Sequence, residues 1–294
     1  MASKSEIMGL KFTPTTHHAP YPAIDVKPGS LPSPFNVCIA GASRDIGANI
    51  AYSFAIAGAT AIGICAPPAE IDVSPIPSKL QELNPSTRLI YLPCDVTLPS
   101  EVEEFSSKIR NALGHIDVLV YNAGYFGPWE TRTASTPHDF TTAMSVNCTG
   151  LYLFTHFMLP LLQKSAYGAG AVVSICSTGM HATGGPGTNT AYGISKLAQC
   201  RFIEMLAATE PDTFTAAVNP GNVKTAMGKV IPQELFNALP DDPRLCGSFL
   251  VWLVRERRMW LSGRYLSSNW DVDELMSKEA EVVEHNKLKM RMVW

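Results

Sequence analysis

The stretch AGASRDIGA, residues 40–48, joins an apolar run to a helical one, and the interpretation of the whole chain starts from it. Residues 35–40 are apolar and predict a buried strand, whereas the small, apolar residues 46–57 predict a helix that packs closely on a sheet. A glycine-rich turn between strand and helix presents backbone N–H groups at a helix N-terminus, where they can bind phosphate. We therefore expect a phosphate-binding turn at this position.

Asp45 stands in this turn between Arg44 and Ile46, where a third glycine is expected. A carboxylate about 4 Å from a bound phosphate charge costs roughly 1 kcal/mol in water and about 4 kcal/mol at an intermediate dielectric. The helix dipole, worth about 0.3–1 kcal/mol in the first turn, and the adjacent Arg44 offset part of this cost. Two interpretations stay open, namely a solvated first-turn acid that the turn tolerates and a phosphate site that has lost its function.

Composition excludes several classes of protein. The chain has 294 residues and a net charge of −3, which gives no electrostatic reason to expect nucleic acid or an anionic membrane surface as a partner. Its seven cysteines are spread singly without a C-x-x-C pair, which favours free thiols in a reducing compartment and no metal site. Residues 46–69 carry no charge, but their glycines indicate a helix, a turn and a strand rather than a membrane span. Because no signal peptide is visible either, we expect a cytoplasmic protein.

Short apolar runs alternate with helical segments along the rest of the chain. Further strands are predicted at residues 59–65, 88–92, 116–121, 171–176 and 214–219, and long helices near 139–164 and 191–209. Ser100 and Glu103 have the spacing of a helix-capping box. Such alternation requires crossover connections and a parallel sheet that is covered on both faces. The predicted fold is α/β, a single doubly wound parallel sheet of the Rossmann type, whose ligands gather at the carboxyl ends of the strands.

Three segments are expected along the chain. Residues 1–34 are rich in proline and predict an extended or partly disordered N-terminal extension. Residues 35–270 are expected to form the Rossmann-type domain, and residues 271–294 a partly helical C-terminal tail. No internal repeat and no break in the pattern indicates a second domain.

Four further motifs follow the glycine-rich turn in order. They are Cys94-Asp95-Val96, Asn122-Ala123-Gly124, Tyr192-Gly-Ile-Ser-Lys196 and Asn219-Pro-Gly-Asn-Val-Lys-Thr225. Together with the turn, this ordered set resembles the short-chain dehydrogenase/reductase family over residues 35–265. The ending WLSGRYLSSNWDVDEL, residues 260–275, is similar to fungal members of that family. The resemblance implies hydride transfer between a nicotinamide cofactor and a small molecule.

Tyr192 and Lys196 lie four residues apart, so both side chains project from one face of a predicted helix. A tyrosine with an ordinary pKa of about 10 is a poor acid–base catalyst near neutrality. A nearby ammonium favours the phenolate, and we therefore expect Lys196 to lower the pKa of Tyr192. In the family, the matching tyrosine donates the proton to the substrate oxygen, and the matching lysine also binds the ribose hydroxyls of the cofactor.

Two more residues match catalytic positions of the family. Ser177 corresponds to the serine that hydrogen-bonds the substrate carbonyl, and Asn147 to the asparagine that holds a water molecule against the lysine. The segment between Ser177 and Tyr192 is longer than the usual pattern. Ser174 and Thr178 therefore stay open as alternatives to Ser177.

The resemblance implies a cofactor site assembled from several strand ends. Its residues are Gly41, Ser43, Arg44, Asp45, Ile46, Gly47, Ala66, Asp95, Val96, Asn122, Ala123, Gly124, Tyr192, Lys196, Pro220, Gly221, Val223 and Thr225. Members that prefer NAD carry an acid at the end of the second strand, and residues 64–67 contain none. A family arginine just after this strand is replaced at about Ala66. Arg44 resembles the arginine that binds a 2′-phosphate. We therefore favour NADP(H) over NAD(H).

The segment after Thr225 lies where the family has its mobile substrate lid. Met227 in this segment, Trp129 after the fourth strand, and Met180 and His181 after the fifth are candidates for a substrate pocket, with core packing as the alternative for each. The apolar character of these positions predicts a bulky hydrophobic ketone, and the fungal similarity suggests a specialised metabolite. Family members assemble through their two long helices, which implies a homodimer or a homotetramer.

Two other functions stay open at this point. The same chemistry can run in the opposite direction, as alcohol oxidation. Alternatively, the fold can serve as a non-redox scaffold that binds a cofactor or folds a reactive substrate for cyclisation. Variants of Tyr192 and Lys196 separate these possibilities, because a scaffold does not need the pair.

Overall fold

The computed structural model describes residues 9–71, 74–129, 136–168, 170–182 and 189–292. They form one parallel sheet of seven strands in the order β3-β2-β1-β4-β5-β6-β7. The strands are β1 Asn36–Ala40, β2 Ala61–Ala66, β3 Arg88–Pro93, β4 Val118–Tyr121, β5 Ala171–Ile175, β6 Phe214–Asn219 and β7 Arg264–Ser267. The predicted α/β fold with a doubly wound parallel sheet is confirmed.

Helices surround this sheet. They are α1 Asp45–Ala57, α2 Pro68–Ile71, α3 Ile76–Leu83, α4 Pro99–Leu113, α5 Pro137–Ala143, α6 Gly150–Leu162, α7 Thr190–Thr209, α8 Gln233–Asn237, α9 Arg244–Arg255, α10 Val272–Ser277 and α11 Glu279–Glu284. A π-helical turn, Met144–Thr149, joins α5 to α6, and short 3₁₀ turns include Thr178–His181 and Met227–Val230.

The central strands are buried along their full length, which explains why they read as unbroken apolar runs. β1 pairs with β2 on one side and with β4 on the other, so the chain changes direction across the sheet at β1. Connections leave β1 and β4 in opposite directions and open a crevice at their carboxyl ends. The glycine-rich turn therefore faces this crevice.

The predicted strands lie within two residues of the observed ones, but two local features differ. β7 was not predicted, because its four residues carry no distinctive alternation. The capping box at Ser100 is wrong: α4 begins at Pro99, with Leu98 as its N-cap and no side-chain cap. Proline has no N–H to satisfy and is favoured at the first helical position, so the helix starts before Ser100. A capping box does occur at the start of α5, where Thr136 and Asp139 bond reciprocally.

The described part of the N-terminal extension packs on the domain. The indole N–H of Trp270 donates to the carbonyl of Gly9 (2.9 Å), and the hydroxyl of Tyr21 accepts from the backbone N–H of Val272 (2.7 Å). Ile24 and Leu31 are buried in the main core. Residues 9–21 therefore run along the end of β7 and the start of α10, and the backbone N–H of Leu31 donates to the carbonyl of Ala57 at the end of α1.

Candidate functional site

An open cleft of about 360 Å³ lies in the crevice at the carboxyl ends of the strands. Of the expected cofactor residues, all line this cleft except Gly47, Gly221 and Val223. Met227 lines it as well. The structure thus brings the glycine-rich turn, the three strand-end motifs and the Tyr192–Lys196 pair to one continuous surface.

The glycine-rich turn is shaped by close backbone approach. Gly41 has φ +81°, and a Cβ atom at this position would lie 2.6 Å from the Cα atom of Ala123. The amide of Asn122 donates to the carbonyl of Gly41 (2.5 Å) and fastens the turn to the end of β4. Gly47 lies behind the turn, where a Cβ atom would collide with the carbonyl oxygen of Gly41. Both glycines are therefore required by packing.

The N-terminus of α1 fits the phosphate groups of a dinucleotide. Arg44 is the N-cap of this helix and makes no side-chain capping bond. The N–H groups of the first turn thus have no side-chain cap, and residues 43–46 at this helix start line the cleft. This arrangement leaves donors for a bound phosphate.

The carboxylate of Asp45 has a specific partner. Asp45 adopts φ +52°, the left-handed region that a glycine would occupy most easily and that aspartate tolerates better than most residues. Its Oδ2 accepts from the backbone N–H of Ala226 (2.9 Å), and Nε of Arg44 lies 3.7 Å away. The side chain is 31% exposed. In addition to what the two interpretations above considered, the carboxylate binds the segment after β6.

A second acid occupies the side of the cleft where an adenosine ribose is expected. Glu70, on α2, forms an ion pair with Nη1 of Arg44, and the hydroxyl of Ser43 donates to its other oxygen. Ser74 completes the cluster by donating to the carbonyl of Ser43 (2.8 Å). Sequence reasoning considered only the strand end, Ala66, and missed Glu70. The available signal was that Glu70 ends the uncharged stretch 46–69.

The start of α7 is tied to the loop after β4. Asn189 is the N-cap of α7, and its side-chain oxygen accepts from the backbone N–H of Tyr192 (3.0 Å). Its amide nitrogen donates to the carbonyls of Phe126 (2.7 Å) and Pro128 (3.0 Å). This buried asparagine therefore positions Tyr192 relative to the cleft wall, a role that the sequence did not indicate.

Lys196 is buried at the floor of the cleft. Its Nζ donates to the carbonyl of Ile175 (2.8 Å) and lies 5.6 Å from the centroid of the Tyr192 ring. Burial disfavours the charged form and lowers the pKa of Lys196 to about 8. The ammonium is thus held by a backbone carbonyl at the end of β5.

Tyr192 differs from the expectation in one respect. Burial raises the pKa of Tyr192 to about 12, and the neighbouring Ser177 hydroxyl only partly opposes this rise. The expectation that the pKa of Tyr192 lies below its ordinary value is wrong for this structure, because desolvation is the largest effect on the phenol. The phenol therefore keeps its proton at neutral pH.

The three candidates for the polar residue beside Tyr192 have different environments. Ser177 is the N-cap of the 3₁₀ turn Thr178–His181, and its Oγ accepts from the backbone N–H of Gly179 (3.1 Å). Thr178 is buried, and its backbone N–H donates to the side chain of Asn219 (3.2 Å). Ser174 is fully buried within β5. Ser177 is the candidate that influences Tyr192.

Asn147 is fully buried in the π-helical turn, and its side-chain amide joins the loop after β4 to α7. Its Oδ1 accepts from the N–H of Tyr125 (2.7 Å), and its Nδ2 donates to the carbonyl of Tyr125 (2.9 Å) and to Oγ of Ser195 (2.8 Å). A Cβ atom at Gly124 would lie 3.5 Å from this Oδ1 and 3.7 Å from Nζ of Lys196. The asparagine and the lysine therefore share one small space beside Gly124.

The expected substrate residues fall into two groups. The methyl group of Met227 lies 3.5 Å from the position of a Cβ atom at Gly124, and Trp129 stacks on Phe126 with ring centroids 6.0 Å apart. Phe126 in turn contacts Tyr192, at 4.7 Å between centroids. In contrast, Met180 is buried with its sulfur 3.0 Å from that of Cys200, and His181 packs edge-on against Tyr265 at 5.0 Å. Of the four expected substrate residues, Met227 lines the cleft, whereas Trp129, Met180 and His181 are not among the described residues that line it.

Burial lowers the pKa of His181, in accordance with its packed position. Elsewhere in the described ranges, no group of three or more histidine, cysteine, aspartate or glutamate side chains is arranged to hold a metal ion. Within the same part of the chain, no helix combines the length and apolar character that crossing a membrane requires.

Comparison with known proteins gives consistent matches. A sequence model of the family described as short chain dehydrogenase matches residues 36–235. Short chain dehydrogenase pgmD of Aspergillus terreus is 34% identical over 298 residues, covering 97% of this chain and 95% of the relative. Short chain dehydrogenase mpl6 of Monascus purpureus is 32% identical over 289 residues, covering 97% of each chain. A solved short chain dehydrogenase from Shigella flexneri, complexed with NADP, has a TM-score of 0.73 at 22% identity, covering 82% of this chain and 99% of that chain.

Proposed function

The chain belongs to the short-chain dehydrogenase/reductase family of oxidoreductases, and from this membership we propose that it is an NADP(H)-dependent reductase of a hydrophobic ketone. The observation that carries the proposal is the arrangement of Tyr192 and Lys196. The two side chains lie in the cleft that also holds the glycine-rich turn, and Tyr192 retains its proton with a pKa of about 12. The protonated phenol carries the proton that a carbonyl oxygen must receive, and the neighbouring Lys196 is the group that can stabilise the phenolate formed when this proton leaves.

A reduced nicotinamide bound in this cleft would supply the hydride that the carbonyl carbon of the substrate needs. The hydroxyl of Tyr192 donates its proton to the carbonyl oxygen, so that the ketone becomes a secondary alcohol. Ser177 donates a hydrogen bond to the same oxygen and helps to polarise it. The ammonium of Lys196 lies close enough to offset the charge of the phenolate that remains. We assign the return of a proton from solvent to a path past Lys196 and Asn147.

We propose the reductive direction. Reduction starts from the protonated form of Tyr192, and burial keeps the phenol protonated near neutrality. Alcohol oxidation would use the same residue as a base.

The cofactor preference rests on Arg44. Its guanidinium lines the cleft at the end where the adenosine ribose of a dinucleotide is expected, and no acid replaces Ala66 at the end of β2. A 2′-phosphate can form charge-assisted bonds with an arginine, whereas a hydroxyl gains less from it. Glu70 is paired with Arg44, so a 2′-phosphate must compete with this carboxylate. We propose that NADP(H) is preferred, by a margin that Glu70 reduces.

The proposed substrate class rests on Met227, which lines the cleft, and on aromatic residues that pack beside Tyr192. Phe126 packs against Tyr192, Trp129 stacks on Phe126, and Met227 covers the space above Gly124. We propose a bulky hydrophobic ketone, and the similarity to fungal relatives supports a specialised metabolite.

Assembly and location belong to the same proposal. Apolar side chains are exposed on α6 and α7, among them Tyr152, Ile194, Leu197 and Met205. We propose that these helices form the interface of a homodimer or a homotetramer. All seven cysteines are free thiols, which supports a reducing, cytoplasmic environment.

The test begins with a fluorescence titration of the purified protein with NADPH and, in parallel, with NADH. Oxidation of NADPH is then followed with acetophenone, acetylnaphthalene and benzaldehyde as probes. Y192F tests the proposed acid, and Y167F, at a half-buried tyrosine outside the cleft, is the control. Loss of reduction in Y192F alone supports the proposal. If Y192F reduces the probes as fast as the unmodified protein, the assigned mechanism is wrong; if NADPH and NADH both fail to bind, a non-redox scaffold replaces it.

A further inference from the structure

The segment after β6 covers one side of the cleft, and its base is firmly anchored. We name residues 225–239, which include the 3₁₀ turn and α8, the cap segment. At its base, Val223 pairs with Asp241, and the carboxylate of Asp241 accepts from the backbone N–H of Asn222. The same carboxylate binds Nδ1 of His18 (2.5 Å) and the amide of Asn269 (3.0 Å). The two ends of the cap segment are thus joined.

Beyond this base, Asp45 binds the start of the cap segment directly. Oδ2 of Asp45 accepts from the backbone N–H of Ala226 (2.9 Å), across 181 positions in the sequence. Ala226 precedes the 3₁₀ turn that carries Met227, and Thr225 caps that turn through its hydroxyl, which accepts from the N–H of Gly228 (3.1 Å). A bond to Ala226 therefore fixes the turn that holds Met227 over Gly124.

The conformation of Asp45 makes this bond possible. A glycine would adopt φ +52° with less strain but would offer no acceptor to Ala226. Asparagine tolerates the left-handed region and retains a side-chain oxygen without the charge. The choice of aspartate thus adds two separable properties to the turn, a hydrogen-bond acceptor and a negative charge.

We propose that Asp45 is a positioning residue that latches the cap segment to the glycine-rich turn and so holds Met227 over the substrate end of the cleft. The role of the latch in catalysis rests on the proposed function, but the latch itself does not. This hydrogen bond connects two parts of the cleft. One is the turn proposed to bind the cofactor phosphates, and the other is the segment proposed to cover the substrate. Asp45 acts on the substrate through Ala226 and Met227.

The first test measures opening of the cap segment without any cofactor. Lys224 and Lys229 flank Ala226, and both are exposed, so trypsin cleavage at them reports how often the segment leaves the turn. Mass spectrometry gives the cleavage rates, with Lys164 at the end of α6 as the internal reference. D45N and D45G form the matched pair, since both residues tolerate φ +52° and only asparagine keeps an acceptor.

We expect D45G to be cleaved at Lys224 and Lys229 about five times faster than the unmodified protein, because a partly exposed hydrogen bond to a charged group is lost. D45N should restore most of the resistance. If D45G and D45N are cleaved at equal rates, any increase in cleavage comes from the lost charge or from loop flexibility, and the proposal that Asp45 holds the cap segment is wrong. Rates equal to those of the unmodified protein in both variants would overturn it as well. Thermal melting verifies that each variant is folded.

The second test separates positioning from a structural role. With acetylnaphthalene as the probe, KM should be severalfold higher in D45G than in D45N, with a smaller difference in kcat, because the displaced Met227 mainly weakens substrate contacts. A lower kcat in D45G than in D45N, with the same KM in both variants, would contradict this assignment. If no variant reduces the probe but the proteolysis order holds, the proposed function fails and the latch stands.

Discussion

The two ends of the cleft are built in different ways. At the substrate end, Lys196 and Asn147 are buried, and each is held by backbone or side-chain groups of rigid elements. At the phosphate end, Arg44, Asp45 and Glu70 are partly exposed and bind one another or the cap segment. The first end is fixed before a ligand arrives. At the second, a ligand must compete with bonds that the protein makes to itself.

This difference predicts which property a substitution should change at each end of the cleft. A buried amide or ammonium cannot find water when its partner is removed, so changes at the substrate end should affect stability as well as rate. Partly exposed charges are screened and can exchange partners, so changes at the phosphate end should mainly alter ligand affinity.

The largest effect is expected for N147L. This change leaves the backbone N–H and carbonyl of Tyr125 without their side-chain partner and removes the donor to Ser195, so it should lower the free energy of unfolding by about 3 kcal/mol. Urea denaturation measures the change. N237L, on the exposed α8, is the control and should remain within about 0.5 kcal/mol of the unmodified protein. Equal stability of the two variants would show that the substrate end is not a rigid unit.

Lys196 should give the substrate end a characteristic pH dependence. Its pKa is about 8 in the folded chain and 10.5 when unperturbed, so between these pH values the unfolded chain binds the proton and the folded chain does not. Folded-state stability should therefore rise with pH across this window, relative to K196M, by at most about 3 kcal/mol. Below pH 8 both states are protonated and the difference should be constant.

The measurement is a series of urea denaturation curves of the unmodified protein and K196M from pH 7 to about 10.5. The comparison cancels the titration of other groups. A difference that stays constant through the window would mean that the Lys196 ammonium is not destabilised by burial.

The contrast between the two ends also explains what the sequence could predict. The strands, the glycine-rich turn and the Tyr192–Lys196 spacing are local patterns, and the structure contains each of them close to its expected position. The bond from Asp45 to Ala226 joins positions far apart in the chain, so no local pattern could reveal it. Glu70 was missed because a short helix, rather than the strand end, carries it to Arg44. The raised pKa of Tyr192 depends on burial, which spacing does not report.

A smaller effect is expected from the Arg44–Glu70 pair. E70Q removes the carboxylate that competes with a 2′-phosphate, so NADPH should bind about five- to tenfold more tightly, while NADH changes less. R44M should weaken NADPH binding about tenfold without a matching loss for NADH. Parallel fluorescence titrations give the dissociation constants of NADPH and NADH for each variant. E82Q, on the exposed surface of α3, is the control.

The preference for NADP(H) depends on this result. If R44M weakens both cofactors equally, Arg44 contributes general charge and does not distinguish the 2′-phosphate. If E70Q weakens NADH most, Glu70 binds the ribose hydroxyls, and the preference is opposite to the one proposed.

The smallest effect is expected from the charge of Asp45. The carboxylate is partly exposed, lies 3.7 Å from Nε of Arg44 and points to Ala226, so its repulsion of a bound diphosphate is screened and partly neutralised. D45N should tighten NADPH binding only about threefold, and the gain should shrink as salt is added. Titrations at low and high ionic strength measure it. A gain that approaches a thousandfold would mean that the carboxylate faces the phosphates, and the phosphate end would then be defined by repulsion of its ligand.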